Sequence, residues 1–124
     1  MRLLLDTQAL ILWVLGLPGL SPAARTALTD PDHDVLVSVA SLWEATIKRS
    51  IGKLDFPEDL DGMMREYGFA LLPITLAHLA ALSRLPLHHR DPFDRLLAAQ
   101  AISEGVPIVT GDPQLAAYGV RVVW

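Results

Sequence analysis

Apolar residues fall along this chain in short dense blocks, each closed by a polar or turn-forming residue. Residues 2–5, "RLLL", are such a block, ending abruptly in Asp6, Thr7 and Gln8. A run this short predicts a buried strand whose C-terminal end opens into a polar edge. "ALILWVLG" (9–16) then predicts a short buried helix stopped by Gly16. In "SPAARTALTD" (21–30), Ser21 is placed to cap, Pro22 suits the first helical position, and Ala24, Ala27 and Leu28 share one face. The turn "DPDHD" leads into "VLVSVA" (35–40), a β-branched block that predicts a second strand.

The spacing of Trp43, Ile47 and Ile51 in "SLWEATIKRSI" (41–51) predicts an amphipathic helix with these three on its apolar face, stopped by Gly52. "PEDLDGMMREYG" (57–68) predicts a helix beginning at Pro57, its acids on a solvated face. "FALLPI" (69–74) predicts a third strand and "TLAHLAALSRL" (75–85) a helix. "DPFDRLLAAQAISEG" (91–105) reads as a helix apolar nearly all round, hence buried. "PIVTGD" (107–112) predicts a fourth strand and "VRVVW" (120–124) a short last one. Strands alternating with helices over 124 residues give a single α/β domain, residues 1–124, with a mainly parallel sheet of four to five strands. Ligands of such sheets bind beyond the carboxyl ends of the strands.

Composition narrows the chemistry. The net charge of −4 supplies no general field to attract a polyanion, which must then be held locally. With no cysteine, disulfides, thiolate catalysis and cysteine zinc sites are excluded. Hydrophobic residues make up 52% of the chain and charged ones only 19%, more apolar surface than a domain this small hides internally, so part of it is expected to meet a partner. The apolar start "MRLLLDTQALILWVLGLPGL" is interrupted by Asp6 and Gln8 and ended by Gly16 and Pro18, which argues against a membrane span or signal peptide and for a cytoplasmic protein.

Four acids fall at one edge of the predicted sheet. Asp6 follows the first strand, and Asp112 closes the fourth, two residues after Thr110. Glu44 is expected in the first turn of the helix after strand two, and Asp94 in the first turn of the helix before strand four. Each has a plain structural reading: Asp6 and Asp112 as turn or cap residues, Glu44 as the i,i+4 partner of Lys48, Asp94 as part of the helix start that Asp91 caps. Together, four carboxylates in one pocket repel unless protonated or bridged by a cation. Oxygen ligands without clustered Cys or His point to magnesium or manganese, which suits phosphodiester hydrolysis.

These residues make the chain resemble the PIN-domain family and, within it, VapC toxins of toxin–antitoxin modules. The resemblance runs through "LLLDTQALILW", "VSVASLWEATIK", "HHRDPFDRLLAAQA" and "PIVTGD". It implies a PIN-like three-layer α/β/α fold and a magnesium- or manganese-dependent endoribonuclease acting on RNA. The family's acids fall on Asp6, Glu44, Asp94 and Asp112, as catalytic and metal-binding residues, with Thr7, Asp91 and Thr110 in support. Asp91 is expected to cap rather than coordinate, and Thr110 to hold a metal-bound water. One departure is Leu115, where many relatives carry an aromatic residue. The resemblance also implies a homodimer and a VapB-like antitoxin laid across the acidic groove.

Trp13, Trp43 and Trp124 are candidates for partner surfaces, with a core role an equal alternative for the first two, and Lys48, Arg49, Lys53, Arg84, Arg90 and Arg95 are candidates for RNA phosphates, with ordinary solvated surface charge the equal alternative. His88 and His89 offer acid–base groups, yet paired histidines in a loop before a helix are more often structural or solvent-facing, and the sequence leaves open whether they take part. A haloacid-dehalogenase-type phosphatase needs a second Asp where Gln8 stands, and a response-regulator receiver needs an acidic pair after strand one. The remaining alternative is a PIN-like binding or regulatory module with weak catalysis. The two neighbouring aspartates test the division of roles: Asp91→Asn should mainly lower the melting temperature, and Asp94→Asn should mainly lower metal-dependent cleavage. Parallel effects in both assays would reject it.

Overall fold

A computed structural model describes residues 1–124. The strands are β1 (Arg2–Leu5), β2 (Asp34–Ser38), β3 (Ala70–Leu72), β4 (Ile108–Val109) and β5 (Val122–Val123). The helices are α1 (Thr7–Val14), α2 (Pro22–Thr29), α3 (Val39–Ser50), α4 (Leu60–Tyr67), α5 (Leu76–Ser83), α6 (Pro92–Glu104) and α7 (Pro113–Ala116). The strands form one five-stranded, wholly parallel sheet in the order β3-β2-β1-β4-β5. This is the α/β architecture that the alternation of blocks predicts.

That order fixes where a site can form. From β1 the chain winds outward through β2 to β3, then returns to the other side of β1 with β4 and β5. Right-handed crossovers in opposite directions put their helices on opposite faces. Alternate side chains of the strands serve the two layers. Leu3, Leu5, Val35 and Val37 pack with Leu10 of α1, Ala24 of α2, Ala45 of α3 and Met63 of α4. Leu4, Leu36 and Ile108 pack with Leu97, Ala98 and Ala101 of α6 and Leu115 of α7. Between β1 and β4 the winding reverses and the loops after the two strands diverge, leaving a crevice at their carboxyl ends.

The sequence pattern misplaces several boundaries. The block "VLVSVA" is cut at Ser38, which accepts a hydrogen bond from the Ala40 amide and caps α3. Val39 and Ala40 therefore enter the helix. On α3 the Trp43, Ile47 and Ile51 stripe faces outward, 56%, 39% and 59% exposed, while Ala40, Ser41, Leu42 and Ala45 are buried. Small residues win the inner face because α3 runs close against α1 and α6. Helix α4 begins after Asp59, whose carboxylate accepts from the Gly62 amide, rather than at Pro57. Helix α7 has no counterpart in the expected elements.

A buried polar network joins the layers. The Ser38 hydroxyl donates to Gln100 Oε1 at 2.5 Å, and Gln100 Nε2 lies 3.3 Å from His78 Nδ1. His78 Nδ1 also accepts from the Thr75 amide, which leaves its Nε2 proton for Glu104, 2.9 Å away. The His78 bond, with help from Arg2, holds the Glu104 carboxyl below the usual range. No buried side-chain N or O lacks a partner. No helix is long and apolar enough to cross a membrane.

Helix α6 is buried all round from Leu96 to Ala101, and its alanines set how closely it lies on the sheet. Ala98→Leu should cost roughly 1–3 kcal/mol by overpacking, read as a lower urea midpoint with an unchanged slope.

Candidate active site

At the crevice, the chain's helix starts deliver its acids. Asp6 ends β1 and caps α1, accepting from the Ala9 amide at 2.6 Å. Asp91 caps α6, its Oδ1 accepting from the Phe93 and Asp94 amides, with Pro92 in the first helical position. Asparagine keeps that accepting oxygen and caps as well as aspartate, so the stability cost expected of Asp91→Asn shrinks and Asp91→Ala is the change that removes the cap. Asp112 caps α7, accepting from the Gln114 amide at 2.9 Å. The pair Asp112-Pro113 repeats the Asp91-Pro92 signature and is the sequence signal that α7 leaves.

Glu44 and Asp94 reach the same cleft from within helices. Asp94 stands in the first turn of α6. Because α3 starts at Val39, Glu44 lies in its second turn and not its first. Its carboxylate meets Lys48 Nζ at 3.0 Å, so the i,i+4 pair forms, but on the cleft wall rather than on open surface. Asp6, Thr7, Glu44, Asp91, Asp94 and Asp112 all line one cleft of about 510 Å³, with Lys48, Gly111 and Trp124 on its walls. Thr7 donates to Ser41 Oγ at 3.0 Å, tying the start of α1 to α3. The fully buried Thr110 hydroxyl donates to Asp6 and accepts from the Asp112 amide. Protein groups thus occupy it.

Of the two histidines whose part the sequence leaves open, His89 enters the cluster. Its Nε2 lies 3.0 Å from Asp94 Oδ2 and 3.1 Å from Asp112 Oδ2. Its Nδ1 accepts from the Asp91 amide, which places the proton on Nε2, between the two carboxylates. Nothing in "HHRDPFD" announces this, because the loop that aims the ring is fixed by distant contacts. The His89 amide donates to the Tyr118 hydroxyl at 2.8 Å. His88 instead packs edge-on against Tyr118.

Crowded charge shows in the acids themselves. Burial pushes the Asp6 carboxyl above its ordinary value, against the hydrogen bonds from Thr110 and Ala9 that pull it down, and the charges of Asp112 and Glu44 raise it further. Burial likewise pushes Asp94 up to about 6, with Asp91, Glu44 and Asp6 adding repulsion and His89 opposing. Positive charge is scarce. Lys48 alone of the basic side chains lines the cleft. Arg49 is drawn off to the Phe56 carbonyl and Glu58, and Arg95 to the Pro86 carbonyl and Tyr118.

A divalent cation fits this donor set, because hard carboxylate oxygens short of counter-charge are what such ions bind. Carboxylate oxygens of Asp94 and Asp112 lie within 4.8 Å of each other and of the His89 ring nitrogen between them, and Asp6 and Glu44 add charge to the same cleft. The raised Asp94 pKa fixes a sign. A carboxyl whose folded value exceeds its unfolded value stabilises the fold fully below about pH 4, and that contribution is lost as pH rises through about 6. The metal-free protein should therefore lose about 1 kcal/mol across this window, after screening of this part-exposed group. Thermal melts should show the loss, Asp94→Asn should reduce it to the part that the raised Asp6 carboxyl contributes, and magnesium or manganese should raise the melting temperature more at pH 7.5 than at pH 5. A cation effect equal at both pH values would contradict the assignment.

The family model described as "PIN domain" matches residues 3–120. No curated protein matches by sequence. Among solved structures, VapBC2 from Rickettsia felis bound to a promoter DNA fragment is similar with a TM-score of 0.71 at 13% identity, over 98% of this chain and 97% of that one. FitAcB from Neisseria gonorrhoeae gives 0.64 at 18%, over 97% and 95%. VapBC-1 from nontypeable Haemophilus influenzae gives 0.63 at 14%, over 98% and 96%.

Proposed function

This chain belongs to the PIN-domain family, and from that membership and its acidic cleft we propose that it is a magnesium- or manganese-dependent endoribonuclease, the toxin of a VapBC-type module. The observation that carries the reading is the gathering of Asp6, Glu44, Asp94 and Asp112, with Asp91, at the point where the sheet reverses its winding. In this reading the first four hold the cation. Bound there, it supplies positive charge to a phosphate and an activated water.

The protein's own groups do the rest. Asp6, fixed by Ala9 and Thr110, anchors the cleft floor between β1 and β4. His89 keeps the Asp94 and Asp112 carboxylates together through its Nε2 proton. Lys48 offsets Glu44 and lowers the repulsion an incoming phosphate meets. Hydrolysis then joins a water oxygen to phosphorus and breaks one phosphodiester P–O bond, the proton released from water balancing the oxygen that leaves.

Inhibition by a cognate VapB-like antitoxin, and homodimer formation, belong to the same proposal. Apolar surface is available for such contacts. A groove of about 490 Å³ beside Trp43 is lined by Val39, Leu42, Leu60, Met64, Phe69 and Leu71, and Leu76 and Leu87 stand exposed elsewhere.

The test is RNA cleavage by the purified chain without antitoxin. Cleavage should require magnesium or manganese, stop on chelation, and fall roughly 100-fold or more in Asp6→Asn, as loss of a metal ligand implies. Equal cleavage by wild type and Asp6→Asn, or none by either, would sink the enzyme reading in favour of a binding module.

A further inference from the structure

The acidic cleft carries an aromatic wall that the hydrolytic chemistry does not use. Only Leu12 and Trp124 are hydrophobic among the cleft's twelve lining residues. Trp124 belongs to neither core cluster and keeps 38% of its surface exposed. Among the three tryptophans, Trp43 meets Phe93 edge-on at 5.1 Å and Trp13 has the Arg25 guanidinium at 5.9 Å, whereas Trp124 has no aromatic or cationic neighbour.

Its place is set by the sheet. Parallel pairing sets Val122 against Ile108 and Val123 against Val109, and the Thr110 amide donates to the Val123 carbonyl at 3.3 Å. Trp124 is therefore level with Thr110, and its indole reaches forward over Gly111, one residue before Asp112. The indole lies directly on that glycine. A Cβ at Gly111 would stand 2.6 Å from Trp124 Cε2 and 2.9 Å from Cζ2 and Nε1. The missing side chain makes the seat, and a ring held in place beforehand loses little freedom on binding.

The charge balance gives the ring a task. Phosphate contacts normally dominate affinity for nucleic acid, yet here the cleft holds five acids and one lysine, itself paired with Glu44. Stacking an unpaired base on an aromatic ring supplies affinity without any cation. We propose that Trp124 is a substrate-binding residue, the platform on which an unpaired base of single-stranded RNA stacks as its backbone enters the acidic cleft. This rests on the nuclease reading and names its substrate as single-stranded.

Indole fluorescence tests the stack apart from cleavage. In a Trp13→Phe/Trp43→Phe protein, Trp124 is the sole indole, and mixing with a single-stranded RNA oligomer by stopped flow, with magnesium, should quench it before the strand is cut. An abasic oligomer of equal length and a blunt RNA duplex should not quench. In cleavage assays Trp124→Ala should raise KM roughly tenfold with kcat within about twofold, Trp124→Phe should recover most of the loss, and Gly111→Ala, which pushes the ring from its seat, should resemble Trp124→Ala. Cleavage by wild type with an unquenched indole, equal quenching by duplex, or an unchanged KM in Trp124→Ala overturns the stacking platform and leaves the nuclease reading intact. Wild type that neither binds nor cleaves single-stranded RNA overturns both. If Trp124→Ala melts early, the quenching result decides.

Discussion

The Ala9 amide donates to the Asp6 carboxylate at 2.6 Å, and that one bond joins the end of the central strand, the start of α1 and the floor of the cleft. The same solution recurs around the crevice, where Asp91 and Asp112 cap α6 and α7. A helix start needs acceptors for its free amides and favours negative charge. Three helix starts converging on one sheet edge therefore collect acids for structural reasons before any chemistry is asked of them. Structural and functional readings of these aspartates are in this sense the same reading.

What capping cannot explain is the excess. Glu44 and Asp94 cap nothing, and with them the cleft holds more negative charge than its neighbours offset. Burial and mutual repulsion are left standing in the raised carboxyls of Asp6 and Asp94. His89 softens the conflict by setting its Nε2 between the Asp94 and Asp112 carboxylates.

The sequence told its fold where local chemistry and burial agree. The three leucines of β1, the Asp91-Pro92 start of α6 and that helix's all-round apolar character were legible because each has one low-energy placement. All four acids could be assigned to one edge, since Asp6 and Asp112 follow strands of a parallel sheet, whose carboxyl ends all lie on the same side. The outward face of Trp43, Ile47 and Ile51 was not legible: periodicity reports a stripe, while the small Ala40 and Ala45 opposite decide which side fits against neighbouring helices. His89 was hidden for a related reason, because the Tyr118 contact that orients its loop is remote in sequence.

The Ser38–Gln100 bond lies outside the cleft, yet it joins the cap of α3 to the middle of α6. Those two helices carry Glu44 and Asp94, so the gap between the two acids is gauged by an amide and a hydroxyl that never meet solvent. A caliper of this kind is set when the core closes. The opening between facing carboxylates is then inherited from folding, and an arriving ion finds its dimensions already chosen.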